Sequence, residues 1–266
     1  MNKINHQKKI IAILLCLYIP FHSMAWGLLG HRIVGQIADS YLTKKSKTAI
    51  FSILGNESVA MSSNWADFIK SDPKYNYLSS WHYVNLKEGL SQQEAIRFLE
   101  SDTSTNAFTK INFLAKELQN KQLPKAEQVL YLRMLIHLVG DVHQPMHVGR
   151  PEDLGGNKVK VLWFNESYNL HQIWDDVLIS NQKLSYTEYV SAINFTTKQQ
   201  RQTWQSEPVS LWFYHSYQVA EKIYADVKGP DEKLGYAYNF KYKSVLEEQL
   251  LIAGVHLAGL LNSIFG

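Results

Sequence analysis

The chain has 266 residues, 45% of them hydrophobic, with 27 Lys and Arg against 24 Asp and Glu and a single Cys. Such a chain is long enough to bury a sizeable core and too apolar to stay disordered. Its formal net charge of only +3 excludes a protein that holds polyanions through a general basic excess.

The first 25 residues are of a different kind. Lys3, Lys8 and Lys9 precede the apolar run Ile10 to Ile19, and Ser23-Met24-Ala25 places small residues at minus three and minus one. This is the pattern of a signal peptide cleaved between Ala25 and Trp26, with a run shorter than the ~20 residues of a spanning helix. Export is therefore expected, to the outside or to a periplasm, with no membrane segment in the mature chain, residues 26–266. Cleavage removes three lysines and leaves 24 basic and 24 acidic side chains. Polyanion binding must then be local, through a few cations or bound metal. Cys16 departs too, which excludes internal disulfides and leaves metal as the available cross-link. The sequons at Asn56, Asn165 and Asn194 matter only where the source glycosylates.

From Trp26 the sequence reads W-G-L-L-G-H, with Ile33, Ile37, Ala38 and Leu42 at helical spacing, so Trp26 and His31 begin a first helix. Asp67 and Lys70 lie three apart in W-A-D-F-I-K, on one helical face; alone, such a pair is a plain surface ion pair. Ser80 to Asn85, S-W-H-Y-V-N, reads as an extended segment holding His82. Leu90 to Glu100 and Ala107 to Gln119 read as amphipathic helices, and Glu127 to Gln144 as a central helix, apolar almost throughout. Proline ends it before Pro145. Asp153-Leu154-Gly155-Gly156-Asn157 is a turn, and Lys158 to Phe164 a short strand or hairpin. His171 to Ser180, Tyr186 to Phe195, Pro208 to Val227 and Val245 to Phe265 read as further helices. Without repeat, low-complexity tract or linker, the reading is one mainly α-helical domain.

Within this frame His137 and Asp141 are four residues apart, on one face of the central helix, and His171 and Asp175 repeat the spacing. One such pair is usually a solvated or hydrogen-bonded couple. Two pairs, joined by His31, Asp67, His82 and His147, form a thiolate-free nitrogen and carboxylate set of the kind that suits catalytic zinc. Five of the eight mature histidines belong to it; His143, His215 and His256 are left over as supporting, surface or core residues.

Taken together and in order, W-G-x-x-G-H at Trp26 to His31, W-A-D at Trp65 to Asp67, W-H-Y-V-N at Trp81 to Asn85, H-L-V-G-D-V-H-Q-P-M-H at His137 to His147, D-L-G-G-N at Asp153 to Asn157 and H-Q-I-W-D at His171 to Asp175 resemble the S1/P1 nuclease family. The resemblance spans essentially the whole mature chain. It implies a single compact helical domain of the phospholipase C/P1 nuclease type with a short β-hairpin and three Zn²⁺ ions. One ion would take Asp67, His82, His137 and one oxygen of Asp141. A second would take the other Asp141 oxygen, His31, and the amino nitrogen and carbonyl oxygen of Trp26. The third would take His147, His171 and Asp175. Three dications against three carboxylates leave about plus three in the cleft of a chain that is neutral overall.

The resemblance further implies metal-assisted phosphodiester hydrolysis in single-stranded DNA and RNA, with 5′-phosphate products and 3′-nucleotidase activity. Lys70 would be the cation near the scissile phosphate and Asn157 a substrate contact. Tyr83 would stack a base and Asn85 bond its edge; many relatives have Asp at the latter position, which leaves base preference open. No protein partner is implied. Two rivals stand beside this reading. A zinc-dependent phospholipase C of the same fold typically has Glu as its last helical ligand and lacks the G-G-N turn, whereas this chain has Asp175 and Gly155-Gly156-Asn157. A non-catalytic secreted zinc-binding protein would close its sites with four protein ligands, whereas the His147 group offers three.

Overall fold

The structure, a computed structural model, describes residues 26–266; the expected signal peptide, 1–25, lies outside the described residues. Helix α1, Leu28–Tyr41, buries the face carrying Ile33, Val34, Ile37 and Ala38. The next helices start on polar caps. The Thr43 side chain accepts from the Ser46 N–H ahead of α2, Lys44–Leu54, and Ser58 accepts from Met61 ahead of α3, Val59–Ser62. Helix α4, Trp65–Phe68, leads through the turn Ile69–Ser71 into a 3-10 segment, Pro73–Trp81, capped by Asp72. Helices α5, Gln92–Ser101, and α6, Ala107–Glu117, open with the reciprocal pairs Ser91/Glu94 and Asn106/Thr109.

Helix α7, Lys125–Val142, differs from the others because every residue from Met134 to the end is buried. Apolar on all sides, it belongs inside the domain. It stops short of Pro145, which cannot donate to the helical ladder, and a 3-10 turn, Pro145–Val148, follows. Strands β1, Lys160–Trp163, and β2, Glu166–Asn169, form a hairpin with Lys160 opposite Asn169. Next, α8, Leu170–Gln172, a π-helical turn, Ile173–Val177, and α9, Leu178–Ser180, run on as one helical segment. Helices α10, Tyr186–Ile193, and α11, Lys198–Gln205, again start in capping boxes, and α12, Val209–Asp226, follows Pro208. Strand β3, Glu232–Leu234, joins β1 in parallel, giving the order β2-β1-β3.

The chain closes with α13, Tyr236–Phe265, packed against α1 and α7. Its length and composition would let it cross a membrane, but 56% of its most apolar window is buried inside the protein. Its hydrophobicity is thereby accounted for by core packing.

The mainly α-helical domain with a small hairpin is as expected, with corrections in detail. His82 does not lie in an extended segment: Ser80 and Trp81 close the 3-10 segment, and His82 keeps helical dihedrals of −80° and −15°. Extended pairing begins only afterwards, where Val84 N–H donates to the His147 carbonyl at 3.0 Å and Leu86 N–H to that of Gly149 at 3.1 Å. The terminal helix begins at Tyr236 rather than Val245, and α2 and α11 were not anticipated. Helix α2 buries only Ser46 and Ile50, and α11 buries nothing, so neither carries a strong apolar period.

Gly35 marks the tightest approach of α1 to α3: a Cβ there would lie 2.7 Å from Ala60 Cα and 2.8 Å from the Val59 carbonyl oxygen. Both neighbours are backbone and cannot step aside. Gly35→Ala is expected to cost about 1–3 kcal/mol, lowering Tm by roughly 2–4 °C per kcal/mol in a domain of this size, as read by thermal unfolding.

Candidate metal centre

Five separate stretches deliver the eight expected imidazoles and carboxylates. Helix α1 carries His31, α4 carries Asp67, and the 3-10 segment ends on His82. Helix α7 supplies His137 and Asp141 one turn apart and its following turn supplies His147, while α8 and the π turn supply His171 and Asp175. None of the eight is more than 7% exposed.

Asp141 is the hub. Its Oδ1 lies 3.3 Å from His31 Nε2, and its Oδ2 lies 2.9 Å from His82 Nδ1 and 3.3 Å from His137 Nε2. Asp67 sits between His31, 4.0 Å away, and His137, 3.9 Å away, while Lys70 Nζ donates to its Oδ1 at 2.6 Å. In the third group Asp175 lies 3.8 Å from His147 Nε2 and 3.3 Å from His171 Nε2. Three sets of donor atoms are thus close enough to hold an ion: His31, Asp67 and His137; His82, His137 and Asp141; and His147, His171 and Asp175. This grouping differs from the implied one in that Asp67 is within reach of His31 as well as His137. Trp26 is fully buried beside Gly30 and Gly140, and the Gly27 N–H donates to the Asp175 carbonyl at 2.6 Å, which ties the start of the described chain to the third group.

The backbone sets the tautomers. His137 Nδ1 faces the Ser63 carbonyl at 2.7 Å, His147 Nδ1 that of His82 at 2.6 Å and His171 Nδ1 that of Gly155 at 2.6 Å. A carbonyl only accepts, so each Nδ1 carries a proton, and it is Nε2 that each ring turns into the cluster, as a bare lone pair once any second proton has left. His31 Nε2, Asp67 Oδ2, Asp141 Oδ1 and His147 Nε2 are buried with no hydrogen-bond partner. Orphaned polar atoms cost about 1–3 kcal/mol each, and four converging lone-pair donors are what a bound cation satisfies. The set, all nitrogen and oxygen, fits zinc.

Electrostatics sort the groups. Burial pushes His82 down to about 4, lowers His31 with help from His137, and lowers His171. Burial works against the Asp141 carboxylate, but His137 and His147 outweigh it and hold that group well below its ordinary range. Asp67 is likewise lowered against burial, by His137 and Lys70. His137 and His147 go up: burial opposes the shift, but Asp141 overrides it in both, assisted by Asp67 at His137 and by Asp175 at His147.

The cluster opens into a cleft of about 410 Å³ lined by Lys70, His82, Tyr83, Asn85, His147, Asn157 and His171, among others. Tyr83 is 46% exposed and lies on the wall of this cleft. The D-L-G-G-N turn holds Leu154, Gly155 and Gly156 at positive φ, a path glycine follows without strain. Asn157 there gives one amide hydrogen to the Leu154 carbonyl at 2.9 Å, leaving its oxygen and second N–H. Sequence reasoning gave no role to Gln144, whose Nε2 donates to Asp175 Oδ1 while its Oε1 accepts from Met146 N–H at 2.5 Å. Its position between Asp141 and His147 was the available signal.

The family model described as S1/P1 Nuclease matches residues 26–266. Endonuclease 3 of Arabidopsis thaliana is 29% identical over 287 residues, covering 96% of this chain and 94% of that protein. Endonuclease 4 of the same plant is 28% identical over 271 residues, covering 91% and 90%. Nuclease S1 of Aspergillus oryzae is 29% identical over 157 residues, covering 56% and 53%.

Raised pKa values at His137 and His147 mean that metal must displace protons from them. Because both rings hold their protons above the ordinary imidazole value of ~6.5, zinc affinity of the metal-free protein is expected to fall already as pH drops toward ~6.5 and to keep falling below it, by up to about tenfold per pH unit for each displaced proton, measured by competition with a chromophoric chelator between pH 5.5 and 8.5.

Proposed function

The chain belongs to the S1/P1 nuclease family, and on that premise we propose that it is an exported, zinc-dependent endonuclease. It hydrolyses phosphodiester bonds of single-stranded DNA and RNA, leaves 5′-phosphates and has 3′-nucleotidase activity. The observation that carries this reading is the convergence of eight buried imidazoles and carboxylates at the floor of an open cleft, with four of their ligand-type atoms lacking a hydrogen-bond partner.

Asp67, His82, His137 and one Asp141 oxygen would hold one zinc; the other Asp141 oxygen, His31 and the Trp26 amine and carbonyl a second; and His147, His171 and Asp175 a third. When bound, the ions supply a water nucleophile, its pKa lowered from ~15.7 toward ~7, and neutralise phosphoryl charge. The remaining work belongs to the chain. Lys70 gives one N–H to Asp67 and has two left for a phosphoryl oxygen at the cleft wall. Asn157 offers the oxygen and amide hydrogen that its turn does not use. The exposed Tyr83 ring stacks a base, worth about 1–3 kcal/mol, and only an unpaired base presents its face. Asn85, which both donates and accepts, meets that base's edge.

Asp141→Ala removes the carboxylate shared by two groups. It should lose bound zinc and cut nuclease activity by more than the ~10–100-fold that follows loss of an outer partner of a metal ligand; elemental analysis and oligonucleotide cleavage read both. Assays on single-stranded DNA, RNA and phosphatidylcholine in parallel should show turnover of the nucleic acids; turnover of lipid alone overturns the reading. Because the Trp26 amine exists only after cleavage, a form retaining residues ahead of Trp26 should bind less zinc and be nearly inactive. Full zinc occupancy in that form would contradict the role given to the amine.

A further inference from the structure

Asn76 and Ser79 line the cleft alongside Lys70 and Tyr83 yet have no part in the reaction described above. Both lie in the 3-10 segment Pro73–Trp81, whose C-terminal cap is His82. A 3-10 helix has three residues per turn and rises ~2.0 Å per residue, so side chains three apart eclipse one another at ~6 Å intervals. The segment therefore has three rows. Tyr75, Leu78 and Trp81 form the inward row, the last two buried. Lys74 and Tyr77 are exposed on the outer row. Asn76, Ser79 and His82 form the third row, and all three line the cleft.

The periodicity that brings His82 to the cluster thus also brings a hydroxyl one turn above it and an amide two turns above it. Both side chains are exposed, and neither has a hydrogen-bond partner among the described residues. The backbone beneath them is well held. Asp72 caps the Lys74 N–H at 3.0 Å, Tyr75 packs edge-on against Trp65 at 5.5 Å, and Lys110 Nζ lies 4.5 Å from the centre of the Trp81 ring.

We propose that Asn76 and Ser79 form a subsite for the sugar–phosphate backbone of nucleotides beyond the scissile bond, so that longer strands are better substrates than a dinucleotide. The proposal rests on the nuclease reading above. Amide and hydroxyl groups bond phosphate and sugar oxygens without selecting a base. Their interval along the wall is comparable to the spacing of successive phosphates in an extended strand. A regular row on a held backbone tracks a polymer, whereas a mononucleotide would meet only the groups nearest His82.

The test compares kcat/KM on a dinucleoside monophosphate and on a single-stranded hexadeoxynucleotide, with zinc content measured in every sample. The wild-type enzyme should favour the hexamer. In N76A/S79A the hexamer-to-dinucleotide ratio should fall by about tenfold, the effect of losing two hydrogen bonds, mainly through a higher KM for the hexamer. Ser79→Thr, which keeps the hydroxyl, should retain the preference. Equal wild-type kcat/KM on both lengths would overturn the subsite while leaving the nuclease reading intact. An equal drop on both substrates in N76A/S79A would also overturn it, because the side chains would then only support the wall. Failure of the wild type to cleave either strand would overturn the nuclease reading and the subsite together.

Discussion

Buried charge is the constraint on which this structure depends. Asp67, Asp141 and Asp175 lie at most 7% exposed among five imidazoles, and the imidazole protons are largely committed outward to backbone carbonyls of Ser63, His82 and Gly155. An unpaired buried carboxylate is expensive. The interior has arranged ring nitrogens toward carboxylate oxygens, which calls for protons or metal ions between them. Helix α7 bears the greatest share, since it supplies both His137 and Asp141 from the centre of the core, where neighbouring helices leave them no freedom to turn away.

That arrangement also reconciles a formally neutral mature chain with an anionic substrate. On the proposed reading, positive charge would come from ions held by a few side chains at the floor of the cleft and from Lys70 beside them, not from a basic surface. Around that floor the walls differ in character. On the proposed reading, the D-L-G-G-N turn gives the substrate the Asn157 amide, and the Tyr83–Asn85 stretch gives its base a ring and an amide. The 3-10 segment offers a regular row of small polar groups suited to a backbone. One element, ending on His82, joins the chemistry of the floor to the shape of the wall.

Much of this was legible in the sequence because helical spacing is local. His137 and Asp141 share a face of an unbroken α-helix, and His171 and Asp175 keep the same four-residue interval although the second lies in a π turn. His82 shows what local pattern misses. Ser80 to Asn85, with its aromatic-flanked histidine, reads as an extended segment, but a 3-10 segment ends there, held by contacts with Trp65 and Lys110 that neighbouring residues do not announce. Helix α11 buries nothing and so left no apolar period, and the parallel pairing of β3 with β1 joins stretches about seventy residues apart. The order of the motifs, rather than any one spacing, made the family recognisable.

The claim at the centre is that the buried imidazoles and carboxylates hold three ions, two sharing Asp141 and one among His147, His171 and Asp175. Anomalous diffraction at the zinc edge from crystals of zinc-replete mature protein tests it most directly. The account predicts three peaks at those positions. No peak within reach of His147, His171 and Asp175, or a single peak beside Asp141, would contradict it.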